Sequence, residues 1–356
     1  MQNTGMTTEA NRRAVPMVSI VMIRNIIHKL LPIALAATIA VITAGCGERH
    51  GSDSAVGPDS VYVAPVYSKI HDYAVGDSAT QARILATDTA ELTAFLKVVS
   101  DEDTPARRMA SWAWSLAPMV FTPEVDSVFT GTDSLALALG NILARTRAAG
   151  LELPRRHYAA VVWGRPESVM FVDSVMLIAM NHYLGAESPA YDSFPLYLRL
   201  TKEPRLMPYD LAEALIATSY PYEGGDNATV LSRLLYEGAL MQAKIAALPG
   251  GNLQDALGYR PEQYAFVRDE EAALWNTLVS RSLLYDTSAR TAEKLVNPAP
   301  NVPELDVRTP GRTGRYIGAR IVEAYMERHP DTTLPYLLSP DFYNSPETLR
   351  QAHYNP

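Results

Sequence analysis

Residues 158–179 read YAAVVWGRPESVMFVDSVMLIA, and this stretch decides the fold class. Tyr158–Trp163 and Ser168–Asp173 are rich in β-branched and aromatic residues, which favour strands. Gly164–Glu167 between them has the composition of a turn. Val175–Ala179 fits either a third strand or the start of a helix. The stretch therefore predicts a small β-sheet near the middle of the chain.

The segments on both sides of this stretch have helical periodicity, with apolar residues three or four positions apart. A short β-branched segment, Val61–Tyr67, predicts one more strand ahead of them. The fold class predicted from this order is α+β, dominated by helices around a small central sheet. The predicted helices are Thr80–Val99, Pro105–Leu116, Leu135–Ala148, Leu211–Ala217, Ala228–Leu248, Pro261–Leu284 and Gly314–Arg328.

Composition and charge limit the class of partner. Of the 356 residues, 47% are hydrophobic and 20% are charged, which is typical of a globular domain. The formal net charge is −8, and the first 45 residues contain four basic and one acidic residue, so the remainder carries −11. An acidic body has no electrostatic attraction for phosphate backbones, so we expect no nucleic-acid partner.

The amino-terminal segment has the features of a lipoprotein signal peptide. Arg24 and Lys29 precede the apolar run Leu30–Ala44, which is short for a membrane span. The run ends in Thr43-Ala44-Gly45-Cys46, with small residues in front of the only cysteine of the chain. We therefore expect residues 1–45 to be a signal peptide and Cys46 to carry a lipid. An ordinary signal peptide or a buried apolar helix is the alternative.

The residues after Cys46 predict where the domain lies. Residues 46–60 are rich in Gly, Ser and Asp and are expected to form a flexible tether. Gly47, and not an acidic residue, follows the cysteine, which favours the outer membrane over retention at the inner one. The expected location of the domain, residues 61–356, is the periplasmic face of the outer membrane, and its expected partners are that membrane and envelope proteins.

The long predicted helix carries a degenerate form of a catalytic pattern. In Tyr236-Glu237-Gly238-Ala239-Leu240, the spacing is that of His-Glu-x-x-His, where two histidines bind zinc and the glutamate activates water. Tyr236 and Leu240 stand at the two ligand positions, and leucine cannot bind a metal. No two histidines of the predicted domain are three or four residues apart. We therefore expect no metal, no cofactor and no catalytic residue.

A second stretch allows two interpretations. Pro310–Gly318 combines three glycines with Arg312 and Arg315 in front of a helix, which could bind an anion. The alternative, which we favour, is that Gly311 and Gly314 form a tight turn and that Gly318 lets the helix pack closely.

Several short segments, in a fixed order behind Cys46, resemble the gliding-motility-associated lipoprotein family GldB. The resemblance covers roughly Val61 to the end of the chain, although Ala239 departs from the lysine expected after Tyr-Glu-Gly. The segments are Asn181-His182-Tyr183-Leu184-Gly185, Tyr236-Glu237-Gly238, Glu270-Glu271 with Trp275, Pro310-Gly311-Arg312 with Ile317-Gly318, and Tyr354-Asn355-Pro356.

This resemblance implies a zincin-like core in which a small sheet precedes the helix of a lost metal site. It also implies a non-enzymatic role, structural or in protein interaction, in an envelope assembly for motility or secretion. Two alternatives remain. One is a metal-dependent hydrolase with a non-standard site made of Glu237, Glu270 and His182. The other is a carbohydrate- or peptide-binding lipoprotein that stacks its ligand on Trp163 and Trp275.

Overall fold

The computed structural model describes residues 56–87, 89–225 and 228–356. The predicted signal peptide and Cys46 lie outside the described residues. The strands are β1 (Val63–Pro65), β2 (His157–Val161), β3 (Val169–Val172) and β4 (Val175–Ala179). The first group of helices is α1 (Val66–Val75), α2 (Ser78–Ala86), α3 (Ala90–Val99), α4 (Pro105–Ala113), α5 (Leu116–Val128) and α6 (Asp133–Ala148).

The remaining helices follow the sheet. They are α7 (Leu196–Arg199), α8 (Met207–Ser219), α9 (Val230–Ala246), α10 (Leu253–Ala256), α11 (Pro261–Asp269), α12 (Glu271–Ser280), α13 (Ala289–Val296), α14 (Thr313–Arg328), α15 (Leu334–Leu337), α16 (Pro340–Tyr343) and α17 (Thr348–Ala352). The helix-dominated α+β prediction is confirmed. No helix within the described ranges has the length and apolar character that crossing a membrane requires.

The sheet has the strand order β1-β2-β4-β3. The strands β1, β2 and β4 run parallel, and β3 pairs antiparallel with β4 at one edge. Val172 pairs with Val175 across a two-residue turn, in which Asp173 takes a φ of 52°. Aspartate tolerates this left-handed conformation better than most residues. Of the two alternatives for Val175–Ala179, the structure has the strand.

Helices cover both faces of the sheet, because successive residues of a strand point to opposite sides. Ala159 and Val161 of β2 join a smaller core with Ile70, Phe95 and Met109 of the first helices. The alternate residues of β2 join a larger core built mainly by the later helices, with α9 and α14 at its centre. Both central strands are therefore buried, and only β3 is partly exposed along its whole length.

Most predicted elements differ from the structure by a few residues at their ends, and three differ in kind or in number. The predicted strand at Val61–Tyr67 was wrong beyond Pro65, because α1 starts at Val66 directly after the proline. Thr80–Val99 forms two helices rather than one, since the Thr89 side chain caps the second of them by accepting the Leu92 N–H. Pro261–Leu284 likewise divides into α11 and α12.

Candidate functional site: a charge network around Glu237

Helices α9 and α14 touch through glycines at the centre of the larger core. A Cβ atom on Gly318 would lie 1.9 Å from the carbonyl oxygen of Leu234, and one on Gly238 would lie 2.2 Å from the carbonyl carbon of Gly318. Neither position has space for a side chain, so the two backbones are in direct contact. This contact sets Glu237, the neighbour of Gly238, opposite the start of α14, which carries Arg315.

The carboxylate of Glu237 lies between two arginines. Its Oε1 is 2.7 Å from Arg233 Nη2, one turn earlier on α9, and its Oε2 is 2.9 Å from Arg315 Nε. The Arg315 N–H does not point at the oxygen, so this contact is an ion pair without a hydrogen bond. The side chain of Glu237 is only 1% exposed. Both of its oxygens therefore face cations rather than solvent.

The two neighbouring positions of the degenerate pattern are buried as well. The Tyr236 hydroxyl donates to the carbonyl of Tyr220 at 3.0 Å, and its ring packs against those of Tyr222 and Tyr343. Leu240 is 2% exposed and belongs to the same core. The side chains at positions 236 and 240 thus pack in the interior and line no open cleft.

A second carboxylate, that of Glu213 on α8, extends the network. It accepts hydrogen bonds from Arg315 Nη1 at 2.9 and 3.1 Å and from Lys244 Nζ at 2.6 Å. Lys244 also donates to the carbonyl of Ala256 at 2.7 Å. Burial acts to raise the pKa of Glu213, but the charges of Arg315 and Lys244 outweigh it and hold this pKa well below its usual range. Arg315 therefore joins α8, α9 and α14 through two carboxylates.

A third carboxyl group, that of Asp210, has a pKa that is shifted in the opposite direction. It lies one turn before Glu213 and accepts a hydrogen bond from the Tyr183 hydroxyl at 3.0 Å. Burial raises the pKa of Asp210, although the charge of Lys244 acts to lower it. Neighbouring carboxyl groups whose pKa values are pushed apart occur at acid–base sites and in structural charge networks alike.

His182 contacts a serine that no sequence pattern indicated. His182 Nδ1 lies 3.0 Å from Ser168 Oγ, and Lys202 Nζ donates to the same oxygen at 3.4 Å. The ring also forms a hydrogen bond with the backbone of Arg165. Burial is the main cause that lowers the pKa of His182 to about 3, and the charge of Lys202 lowers it further. So weak a base accepts a proton poorly at neutral pH. The distance between Ser168 and His182 is that of a catalytic Ser–His pair, but His182 is a weaker base than such a pair requires.

The low pKa of His182 predicts a loss of stability between pH 7 and pH 5. An unfolded chain binds a proton at this histidine near pH 6.5, whereas the folded protein keeps the ring neutral down to about pH 3. The free energy of unfolding therefore falls as the pH drops below 6.5, by about 2 kcal/mol at pH 5. Urea unfolding at both pH values should show this difference in the wild type and a smaller one in His182→Asn.

The control for this prediction is His353→Asn, which changes an exposed histidine and should keep the pH dependence of the wild type. Asparagine suits position 353 because its φ is 47°, in the left-handed region. An unchanged pH dependence in His182→Asn would contradict the prediction.

A separate carboxylate, that of Glu271, holds the end of the chain. It accepts hydrogen bonds from the hydroxyls of Tyr316 and Tyr354, the latter at 2.8 Å, and from Arg320 Nε at 3.1 Å. The Tyr354 ring packs edge-on against Trp275, with centroids 5.0 Å apart. Glu271, Trp275 and Tyr354 were all singled out in the sequence, and the structure brings them together in one cluster.

Removing the Tyr354 hydroxyl should loosen this cluster. Tyr354→Phe keeps the ring but takes one donor from a buried carboxylate, which should lower the free energy of unfolding by about 2 kcal/mol. Urea unfolding monitored by circular dichroism measures the change. Tyr285→Phe is the matched control, because Tyr285 is 69% exposed and should tolerate the loss. Equal stabilities of the two variants would show that the hydrogen bond contributes nothing.

The remaining sequence-derived candidates are not assembled into a metal site. Within residues 56–87, 89–225 and 228–356, no three His, Cys, Asp or Glu side chains are placed to hold a metal ion. His182, Glu237 and Glu270, the alternative hydrolase set, thus do not converge. His182 is bound to Ser168 and Glu237 to two arginines.

The Pro310–Gly318 stretch has the geometry of a tight turn. A Cβ on Gly311 would lie 2.3 Å from the backbone nitrogen of Ala299, and one on Gly314 would lie 2.9 Å from the carbonyl oxygen of Leu295. Arg312 donates to the carbonyl of Leu257 at 2.8 Å. The structure therefore supports the packing role of these glycines.

Comparison with known proteins identifies a family. The model of a family described as "Gliding motility protein GldB" matches residues 88–356, from just before α3 to the end of the chain. No curated protein and no solved structure matches.

Proposed function

The chain belongs to the gliding motility protein GldB family, and from this we propose that it is a non-enzymatic lipoprotein of the cell envelope. In this proposal it is a structural or interaction component of a motility or secretion assembly. The observation that carries the non-enzymatic part is the state of Glu237. Its carboxylate, which would activate water in a zinc peptidase, lies buried between Arg233 and Arg315.

The zincin-like part of the proposal rests on the order of the elements. The sheet precedes α9 in the chain, and α9 carries Tyr236, Glu237 and Leu240 at the spacing of a zinc-peptidase helix. In this proposal, core residues replaced the two zinc-binding histidines at positions 236 and 240 during evolution, and Glu237 was kept as part of a charge network. The scaffold would then serve binding rather than chemistry.

The proposed attachment is a lipid on Cys46, with the domain on the periplasmic side of the outer membrane. What supports it is the position of this cysteine behind an apolar run and small residues. Labelling of growing cells with radioactive palmitate tests it directly. The wild type should incorporate label and Cys46→Ser should not; label in both variants would contradict the proposal.

Complementation of a chromosomal deletion tests the role in an assembly. Wild type and Ser168→Ala should both restore surface spreading and the amount of secreted protein, whereas Cys46→Ser should not. Cross-linking in intact cells then identifies the protein partners. A stable Ser168→Ala protein that fails to complement would favour the hydrolase alternative, with Ser168 as its nucleophile.

The carbohydrate-binding alternative has less support. Trp163 is 0% exposed and Trp275 is 7% exposed, so neither ring presents a face to a sugar. Trp163 stacks on Phe95 inside the smaller core, and Trp275 contacts Tyr354. These tryptophans therefore act in packing.

A further inference from the structure

A cavity of about 490 Å³ lies where the amino-terminal segment joins the folded body. Its lining includes residues 59–62 and 153–158, together with Arg147 of α6 and Glu91 of α3. The Asp59 N–H donates to the carbonyl of Gly140 at 3.0 Å, and the Asp59 carboxylate pairs with Arg147 at 2.5 Å. Asp59 lay in the predicted tether, and these contacts fix it to α6. The first described residues after the predicted tether therefore lie beside this cavity.

The cavity has an excess of positive charge in an otherwise acidic body. Its cations are Arg147, Arg155 and Arg156, with His157 beside them, and its acids are Asp59 and Glu91. Asp59 compensates Arg147, and Glu91 Oε1 lies 3.1 Å from His157 Nδ1.

Arg155 and Arg156 have no such compensation. Neither forms an ion pair with a carboxylate of the described residues, and Arg155 is exposed. The Arg156 guanidinium lies 4.4 Å from the centroid of the Phe171 ring, and its Nε is shut off from solvent without a hydrogen-bond partner. Both residues line the cavity, and guanidinium N–H donors match the oxygens of a phosphate.

Exposed apolar side chains occur at the cavity and on helix α6, which adjoins it. Tyr62, which lines the cavity, is 69% exposed, and Leu137, one helical turn before Gly140, is 56% exposed. A tyrosine with an apolar ring and a polar hydroxyl is suited to the interface between lipid and water. Basic and amphipathic groups thus occur together where the predicted tether meets the body.

We propose that this cavity binds the phosphate headgroup of an anionic membrane phospholipid, through Arg155 and Arg156. The inference rests on the proposed lipid anchor, which would keep the cavity near a membrane. Asp59 is 13 residues after Cys46, and an extended chain of that length spans at most about 45 Å. Headgroup binding would hold the domain against the membrane surface and orient its other faces toward partners.

The test uses the full chain purified from membranes in detergent micelles, with bound lipid measured by native mass spectrometry. The probes are phosphatidylglycerol, phosphatidylcholine and inorganic phosphate alone. The double variant R155Q/R156Q should lose phosphatidylglycerol affinity at least about tenfold relative to the wild type. The matched control R107Q/R108Q removes an adjacent arginine pair of α4, outside the cavity lining, and should bind like the wild type.

Three results would overturn the proposal. These are equal phosphatidylglycerol binding by R155Q/R156Q and the wild type, equally tight binding of phosphatidylcholine, and inorganic phosphate that displaces the lipid at equal concentration. Because Arg156 packs on Phe171, Arg155→Gln alone serves as a second variant with less risk to folding, and it should also weaken binding. The mass of the intact protein reports the lipid on Cys46, so failure of the anchor and failure of the headgroup site are distinguished.

Discussion

Glu237→Ala is expected to lower the free energy of unfolding by about 3 kcal/mol, although alanine is the better helix former. The substitution leaves Arg233 and Arg315 without the carboxylate that now lies 2.7 and 2.9 Å from them. Arg315 keeps its hydrogen bonds to Glu213, and the side chain of Arg233 is 32% exposed, so the cost is that of two charge-assisted contacts rather than of a buried unpaired charge. Denaturant unfolding of the purified variant measures the effect.

The control is Glu293→Ala, which removes an exposed glutamate from the helix α13 and should change stability by less than about 0.5 kcal/mol. A double-mutant cycle with Arg233→Met separates charge from packing. If Glu237 acts through its ion pairs, the double variant loses less stability than the two single variants combined. Strict additivity would refute the ion-pair account.

Gly318→Ala is expected to destabilise the protein by about 3 kcal/mol, the upper end of the range for overpacking. The new methyl group would meet the Leu234 carbonyl oxygen at 1.9 Å, and a backbone atom cannot move aside as a side chain can. Helices α9 and α14 would have to separate, which also strains the ion pair between Glu237 and Arg315. Denaturant unfolding should show the loss.

Gly57→Ala is the matched control, because a Cβ at that position would have no atom within 4 Å. It should leave stability unchanged within about 0.5 kcal/mol. A stable Gly318→Ala would mean that the two helices are not held in backbone contact.

The class of fold could be predicted from the sequence because it depends on local patterns. The β-branched runs of residues 158–179 became three paired strands, and the long periodic segment became α9. The ends of helices and strands were harder to predict where a single residue determines them. Pro65 ends a strand and precedes a helix at once, and Thr89 divides one periodic segment into two helices. Hydrophobic periodicity does not register such single-residue capping effects.

The sequence identified one residue of the candidate site, Glu237, but not the residues that contact it. Glu237 was noticed through its spacing, but its partner Arg315 is distant in the chain, and Arg315 also binds Glu213, 102 residues away. The contact between Ser168 and His182 likewise depends on the turn between β3 and β4 and the strand that follows it. No local spacing encodes such contacts, because the tertiary fold creates them.

Charge networks of this kind explain why the short segments singled out in the sequence lie together. Tyr183 bonds to Asp210, and Glu237 is joined to Glu213 through Arg315. Their common role in the structure is to hold α8, α9 and α14 in one arrangement. In the proposed account, this rigid scaffold presents the outer surfaces of the domain to envelope partners.

Metal content of the purified protein tests the central claim, that Glu237 serves a charge network and not a catalytic metal. Elemental mass spectrometry of the protein, prepared without chelators and supplied with zinc before desalting, measures zinc per chain. We expect less than about 0.1 zinc per chain, since Leu240 cannot bind a metal and both oxygens of Glu237 face arginines. A content of about one zinc per wild-type chain would contradict this claim, provided that a chelator removes the zinc and that Glu237→Gln does not bind it.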